Sequence, residues 1–227
     1  GTGIAKVGGP ESKMPGTTLV RGGPNGAVVA GGRNVANLSG KVLAQNANAK
    51  GIAVTAQGDV YFTSGHSVVR IDAAGKRTIA WQGDGLAEPS GLALSPDQAM
   101  LVVTDAQSRF SWSFQVGDGG ALINGEPFYR LEMPESGWRS TAMAATFDSI
   151  GQVYFATAVG IQMCEANGRV AAILNSPSHD RVTDISFASD AKGDWLYAVA
   201  GGKLYRRAVK VKGVPAWAPA KLPRPPL

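Results

Sequence analysis

Chemistry in this 227-residue sequence has to come from a short inventory: one cysteine, two histidines, and a few hydroxyl, ammonium and carboxylate groups standing where apolar runs begin. Ser90, ahead of Gly91-Leu-Ala-Leu94, is a candidate catalytic nucleophile, which requires a base within reach to take the hydroxyl proton. The only histidines are His66 and His179, and neither has a local context that brings it to Ser90. Asp184, in Val182-Thr-Asp-Ile185, is a candidate catalytic carboxylate and a weak candidate cation ligand, set against the ordinary role of strand-end aspartates as turn formers. Lys50, ahead of Gly51-Ile-Ala-Val54, is a candidate to pair with Asp184 or to hold an anionic substrate, set against a solvated rim lysine. Asp105 and Arg109, in Thr104-Asp-Ala-Gln-Ser-Arg109, are spaced for a rim ion pair. Cys164 lies in an alternating run and reads as a buried structural thiol rather than a nucleophile.

These side chains need a scaffold, and the stretch Ala144 to Arg169 shows its unit. Ala145, Phe147 and Ile150 lead to a turn at Gly151, Val153-Tyr-Phe-Ala156 forms an apolar run, and Gly160-Ile-Gln-Met-Cys164 alternates up to the Asn167-Gly168 turn. Alternation with period two, bounded by Gly and Asn-Gly, is a hairpin signal, so the stretch predicts an antiparallel meander. Looser copies follow the same plan: Gly51 to Ile71, Gly91 to Val103, and Asp184 to Ala198, with a degenerate fifth copy over residues 17–45. Their second strands are centred near Val28, Val60, Leu101, Val153 and Leu196, steps of 32, 41, 52 and 43 residues. Repeats of this size, each a small sheet, predict an all-β chain folded as a β-propeller.

Composition agrees. Hydrophobic residues make up 44% and charged residues 17%, with 30 Gly and 13 Pro, which suits a fold that turns every few residues and not a helical one. The net charge of +5 does not predict nucleic-acid binding, because Arg206, Arg207, Lys210, Lys212, Lys221 and Arg224 gather near the C-terminus without interleaved aromatics. No run approaches the roughly 18 apolar residues of a membrane span. A start at Gly1-Thr-Gly3, without Met, reads as a mature, processed or trimmed end; the compartment stays open, leaning toward periplasmic or secreted. The propeller is expected over 1–213. Residues 1–45 supply partial blades, including a lone strand at Ile4 to Val7, and 214–227 form a Pro-rich C-terminal tail extended on the surface.

Several motifs taken together resemble the senescence marker protein / gluconolactonase / luciferin-regenerating family of six-bladed propellers. Pro89-Ser-Gly-Leu-Ala-Leu-Ser-Pro-Asp97 is similar to that family's P-N-G-L-A-L-S-P-D blade start, and Val103-Thr-Asp105 to its following strand. Phe147 to Thr157, with Gly160 to Cys164, is similar to its V-D-x-x-G-x-L-Y-V-A-T and G-I-Q-V segments, and Lys203 to Gly213 to the C-terminus of bacterial members. The resemblance implies a lactonase-type propeller, here of about five blades or an incomplete six. It also implies hydrolysis of lactones or related esters around a divalent cation such as calcium, held on the axis by a Glu, an Asn and an Asp at the starts of inner strands. Such a cation would polarise the carbonyl and activate a water.

At the matching positions this chain departs from that pattern. Ser90 replaces the Asn, Met143 falls where the Asp is expected, the Gly51 blade offers Lys50 or Ala49, and the blade carrying the Glu has no counterpart. Asp184 alone keeps an oxygen ligand, so no bound cation is expected. Lys50, Ser90, Met143 and Asp184 are expected to line a central channel that takes a small neutral or acidic compound, with Asp105 and Arg109 on its rim; Met143 and Trp138 are expected to pack. Two classes of function follow: a divergent, non-catalytic member that binds a small molecule or a partner, and an active hydrolase of a sugar lactone with a rebuilt site. The blade count further predicts a need for an N-terminal partner segment or a second copy of the chain, unless the ring closes with five blades.

Overall fold

The meander read from Ala144 to Arg169 is a four-stranded antiparallel sheet, and four further sheets repeat its plan. The computed structural model describes residues 17–221, Leu38 and Ser136 excepted. Blade 1 contains β1 (Thr17–Gly22), β2 (Val28–Gly32), β3 (Val35–Asn37) and β4 (Val42–Ala44). Blade 2 contains β5 (Ile52–Val54), β6 (Val60–Ser64), β7 (Ser67–Ile71) and β8 (Arg77–Gln82). Blade 3 contains β9 (Pro89–Leu94), β10 (Met100–Asp105), β11 (Phe110–Val116) and β12 (Leu122–Arg130). Blade 4 contains β13 (Ala144–Phe147), β14 (Val153–Thr157), β15 (Gly160–Cys164) and β16 (Val170–Leu174). Blade 5 has three strands among the described residues: β17 (Val182–Asp190), β18 (Gly193–Ala200) and β19 (Lys203–Val209). The chain is therefore an all-β propeller of five blades, and the copy expected to be degenerate, 17–45, builds a full four-stranded blade. The strand expected at Ile4 to Val7 lies outside the described residues. Among those residues no helix is long and apolar enough to cross a membrane.

Turn chemistry explains why the first hairpin of blades 2, 3 and 4 recurs. A side chain at the end of the inner strand accepts the backbone N–H that re-enters the sheet: Thr55 Oγ1 from Asp59 (3.1 Å), Ser95 Oγ from Met100 (3.0 Å), Asp148 Oδ1 from Gln152 (3.0 Å). Gly58 and Gly151 take the left-handed conformation that two of these turns need, at φ 90° and 89°. Ile150, expected on a strand, belongs to the Asp148 turn and is exposed.

Alternation then decides which neighbour each side chain meets. Val60 and Phe62 join blade 1 in one apolar cluster, while Tyr61 between them joins blade 3 in the next. Leu101 and Val103 face blade 2 and Val102 faces blade 4; Val153 and Phe155 face blade 3 and Tyr154 faces blade 5. Four apolar cores thus join consecutive blades. Blades 5 and 1 share no such core among the described residues. Inner strands approach closely enough that a Cβ on Gly51 would run into Ser90 O, and one on Gly91 into Ala144 Cα, which is why glycine opens these two strands.

As far as Lys221, the Pro-rich tail is not laid on the outer surface. Beyond Gly213 it crosses the far ends of the inner strands: Val214 N donates to Phe147 O (3.4 Å), Gln98 Nε2 donates to Ala218 O (2.7 Å), and Lys221 N donates to Pro96 O (2.8 Å). The Trp217 indole occupies the space beside Gly22 in blade 1. A small cavity of about 90 Å³ is enclosed between the inner strands and Val214 to Trp217, so the tail stoppers that end of the channel.

Candidate functional site

The starts of the inner strands meet at the opposite end, around a cavity of about 290 Å³ lined by Leu19, Arg21, Lys50, Met143, Thr183 and Asp184 among others. β1 and β17 face each other across it, and their side chains bridge the gap. Arg21 Nη2 donates to Asp184 Oδ1 (2.7 Å) and Nη1 donates to Oδ2 (3.1 Å), a two-pronged pair. Asp184 Oδ1 also accepts from Ile185 N at 2.9 Å, which fixes the carboxylate against its own strand.

Lys50 does not reach Asp184. Its ammonium donates to Glu88 Oε1 at 2.6 Å, and its backbone N donates to Thr63 Oγ1 at 3.2 Å. The hydrogen bond from Lys50, then that from Gln107, holds the Glu88 carboxyl below the usual carboxylate range, with Arg139 adding a weaker attraction. The mouth cavity therefore carries one carboxylate, Asp184, already paired with Arg21, and Lys50 on its wall is paired with Glu88 of the adjoining recess.

The other expected residues lie elsewhere. Ser90 is fully buried and does not line the cavity: its hydroxyl donates to Ala142 O (2.7 Å) and meets Thr104 Oγ1 (3.0 Å), joining blade 3 to the loop entering blade 4. Asp105 makes no pair with Arg109. Fully buried, it accepts from the backbone N–H groups of Ala87, Glu88, Gln107 and Ser108, and so ties the loop entering blade 3 to its own turn. Arg109 instead donates to Leu131 O (3.2 Å) and approaches Glu132 at 3.6 Å. Met143 is half-buried on the cavity wall, whereas Trp138, expected to pack, is 92% exposed. Cys164 is fully buried, and burial pushes its thiol up to about 12, as suits a structural role. His66 lies in a separate recess between blades 2 and 3, and His179 is exposed before β17.

Two partners of the expected residues were missed by sequence reasoning, Arg21 in the mouth and Glu88 in the adjoining recess. Arg21 sits in the blade whose pattern is weakest, and its partner is 163 residues away. Glu88 carried a signal that went unused, since it stands two residues before Ser90 in the segment that opens blade 3.

The family model of the SMP-30/gluconolactonase/LRE-like region matches residues 63–200, more than half of the chain. No curated protein matches the sequence. Among solved structures, a luciferin-regenerating enzyme superposes with a TM-score of 0.67 at 18% identity, over 94% of this chain and 80% of the other. The calcium-binding protein regucalcin from Agrobacterium tumefaciens superposes at 0.68 with 14% identity, over 91% and 80%. Virginiamycin B lyase from Staphylococcus aureus superposes at 0.61 with 16% identity, over 89% and 73%. At these identities the likeness is one of fold.

Proposed function

The chain belongs to the SMP-30/gluconolactonase/LRE-like family, and we propose that it is a divergent member whose channel mouth binds a small neutral or acidic compound without a divalent cation. One observation carries this reading: the carboxylate at the mouth, Asp184, and the one beside it, Glu88, are already engaged by cations of the chain itself, Asp184 by Arg21 and Glu88 by Lys50. A hard cation needs several carboxylate and amide oxygens converging on one point. Here a guanidinium and an ammonium stand within hydrogen-bond distance of those oxygens and would repel a second positive charge. Met143 adds a thioether, a soft ligand poorly matched to calcium, and Ser90, the position matched to the family's Asn, spends its hydroxyl on Ala142.

The same arrangement suits an organic ligand. Arg21, Lys50, Glu88 and Asp184 sum to zero charge, so a neutral guest pays no net electrostatic penalty, and a carboxylate can share the hydrogens that Arg21 and Lys50 leave unused. The alternative, hydrolysis of a sugar lactone by a rebuilt site, is decided by the same experiment. Calcium, zinc and manganese are titrated to one-millimolar levels while the melting temperature and gluconolactone hydrolysis are followed. A cation present at about 100 times its dissociation constant would stabilise by about 2.7 kcal/mol, or roughly 5 to 10 °C for a chain of this size. The expected result is no shift and no metal-dependent rate; either a shift of that size or a rate that follows the metal overturns the proposal.

A further inference from the structure

We propose that the recess between blades 2 and 3, where Lys50 and His66 face one cavity, is a separate binding site for a small hydroxycarboxylate. The recess has a volume of about 150 Å³ and lies on the mouth side of the ring, lined by Asn48, Lys50, Thr63, His66 and Glu88 among others. A recess of that size holds several water molecules, room enough for a small hydroxy acid.

His66 sits on the two-residue turn between β6 and β7, where Gly65 takes a φ of 57°. Its Nδ1 lies 3.0 Å from Leu86 O. A carbonyl oxygen only accepts, so Nδ1 donates this bond, and in the tautomer that makes it Nε2 is left as an acceptor. Lys50 supplies the complementary group. Its ammonium has three hydrogens, one donated to Glu88, leaving two for a carboxylate. Thr63 positions the lysine backbone rather than the ligand, because its Oγ1 accepts from Lys50 N and Gly51 N and donates to Ser90 O.

Glu88 is engaged by Lys50 and attracted by Arg139, and the buried Asp105 carboxylate lies behind it on the N–H groups of Ala87 and Glu88, so an anionic guest is recognised by the hydrogens that Lys50 has to spare rather than by an excess of charge. A carboxylate on Lys50 then places a neighbouring hydroxyl to donate to His66 Nε2, which a plain carboxylate cannot do. This proposal shares Lys50 with the channel reading and rests on it to that extent; His66, which lines the recess and not the channel mouth, separates the two.

The test is a titration of the isotopically labelled chain with glycolate and with acetate at constant ionic strength, followed by amide chemical shifts. Glycolate is expected to move the amides of Lys50, Gly65, His66 and Glu88 saturably, with acetate about tenfold weaker for want of one hydrogen bond. His66→Phe is expected to retain the folded spectrum and to abolish that tenfold preference. Lys50→Gln is expected to lose both ligands. Equal binding of the two acids by the parent chain, shifts no larger than sodium chloride gives, shifts confined to the basic strand β19, or a preference for glycolate that survives in His66→Phe would each overturn the assignment. Failure of the channel proposal alone leaves the His66→Phe result intact.

Discussion

The pair joining β1 to β17 is the sharpest quantitative handle on how this ring is closed. Arg21→Gln and Asp184→Asn, singly and together, form a double-mutant cycle whose coupling energy isolates the pair. The contact is two-pronged, at 2.7 and 3.1 Å. Both side chains are largely withdrawn from water but not removed from it, with exposures of 26% and 36%. Exposed ion pairs contribute about 0.2 to 1 kcal/mol, so a two-pronged, half-buried pair, discounted for the water that still reaches Asp184, should couple by about 1 to 2 kcal/mol. With a urea dependence of about 2 kcal/mol per molar, each single variant should lower the midpoint by roughly 0.5 to 1 M, and the double variant by little more than either one. In 1 M sodium chloride the screening length falls to about 3 Å and the coupling should shrink by half or more. A coupling within about 0.3 kcal/mol of zero at low salt would refute the claim that this pair, rather than an apolar core, holds blade 1 to blade 5.

Two further outcomes follow. Ser90→Ala removes the buried hydroxyl that serves Ala142 O and should cost about 1 to 3 kcal/mol in urea unfolding; it should leave the glycolate titration unchanged, and a lost ligand with unchanged stability would restore Ser90 to the site. Burial, then Asp148, pushes the Tyr154 hydroxyl from 10.0 up to about 12, and burial pushes the Cys164 thiol from 9.0 up to about 12. Both groups stay neutral in the fold where the unfolded chain would ionise, so their contribution is complete below about pH 9 and is lost as pH rises toward about 12. Urea midpoints measured from pH 8 to 11 should fall, and Tyr154→Phe should flatten that fall above pH 10; an identical slope in the variant would contradict the assignment.

What the sequence makes legible here is everything governed by short-range periodicity. Val153 to Ala156 alternate, and that alternation alone sends Val153 and Phe155 toward blade 3 and Tyr154 toward blade 5. Gly51 and Gly91 are visible as strand starts, although the reason, backbone against backbone near the axis, needs the packed ring. The side-chain partnerships at the mouth follow no period. Read from the chain alone, Lys50 is a candidate partner for Asp184 or for an anionic substrate, and the ring geometry gives it Glu88 instead, 38 residues on. Asp105 was mistaken for a rim charge because Asp-Ala-Gln-Ser-Arg looks like an ion-pair spacing. Its four backbone donors exist only once the loop carrying Ala87 and Glu88 has folded over it.

Among the described residues the ring is short of one apolar junction, and the two ends of the channel differ accordingly. Four neighbouring pairs of blades share hydrophobic cores, and such cores hold sheets together without direction or exact partners. At the junction of blades 5 and 1 that role falls to directional contacts. At the far end, the tail leaves blade 5 beside Phe187 at Gly213, pairs along blade 4 at Asp148 and Phe147, hydrogen-bonds to Gln98 and Pro96 of blade 3, and sets Trp217 against Gly22 of blade 1. It thereby spans the weak junction from beneath and closes that end. Among the described residues no such strap crosses the mouth, where Arg21 and Asp184 span the gap above a cavity of about 290 Å³. A guest that enters this cavity meets the groups that hold the ring. Ligand binding and blade closure are accordingly expected to be linked: a guest that bridges Arg21 and Asp184 tightens the junction, and one that takes Arg21 for itself loosens it.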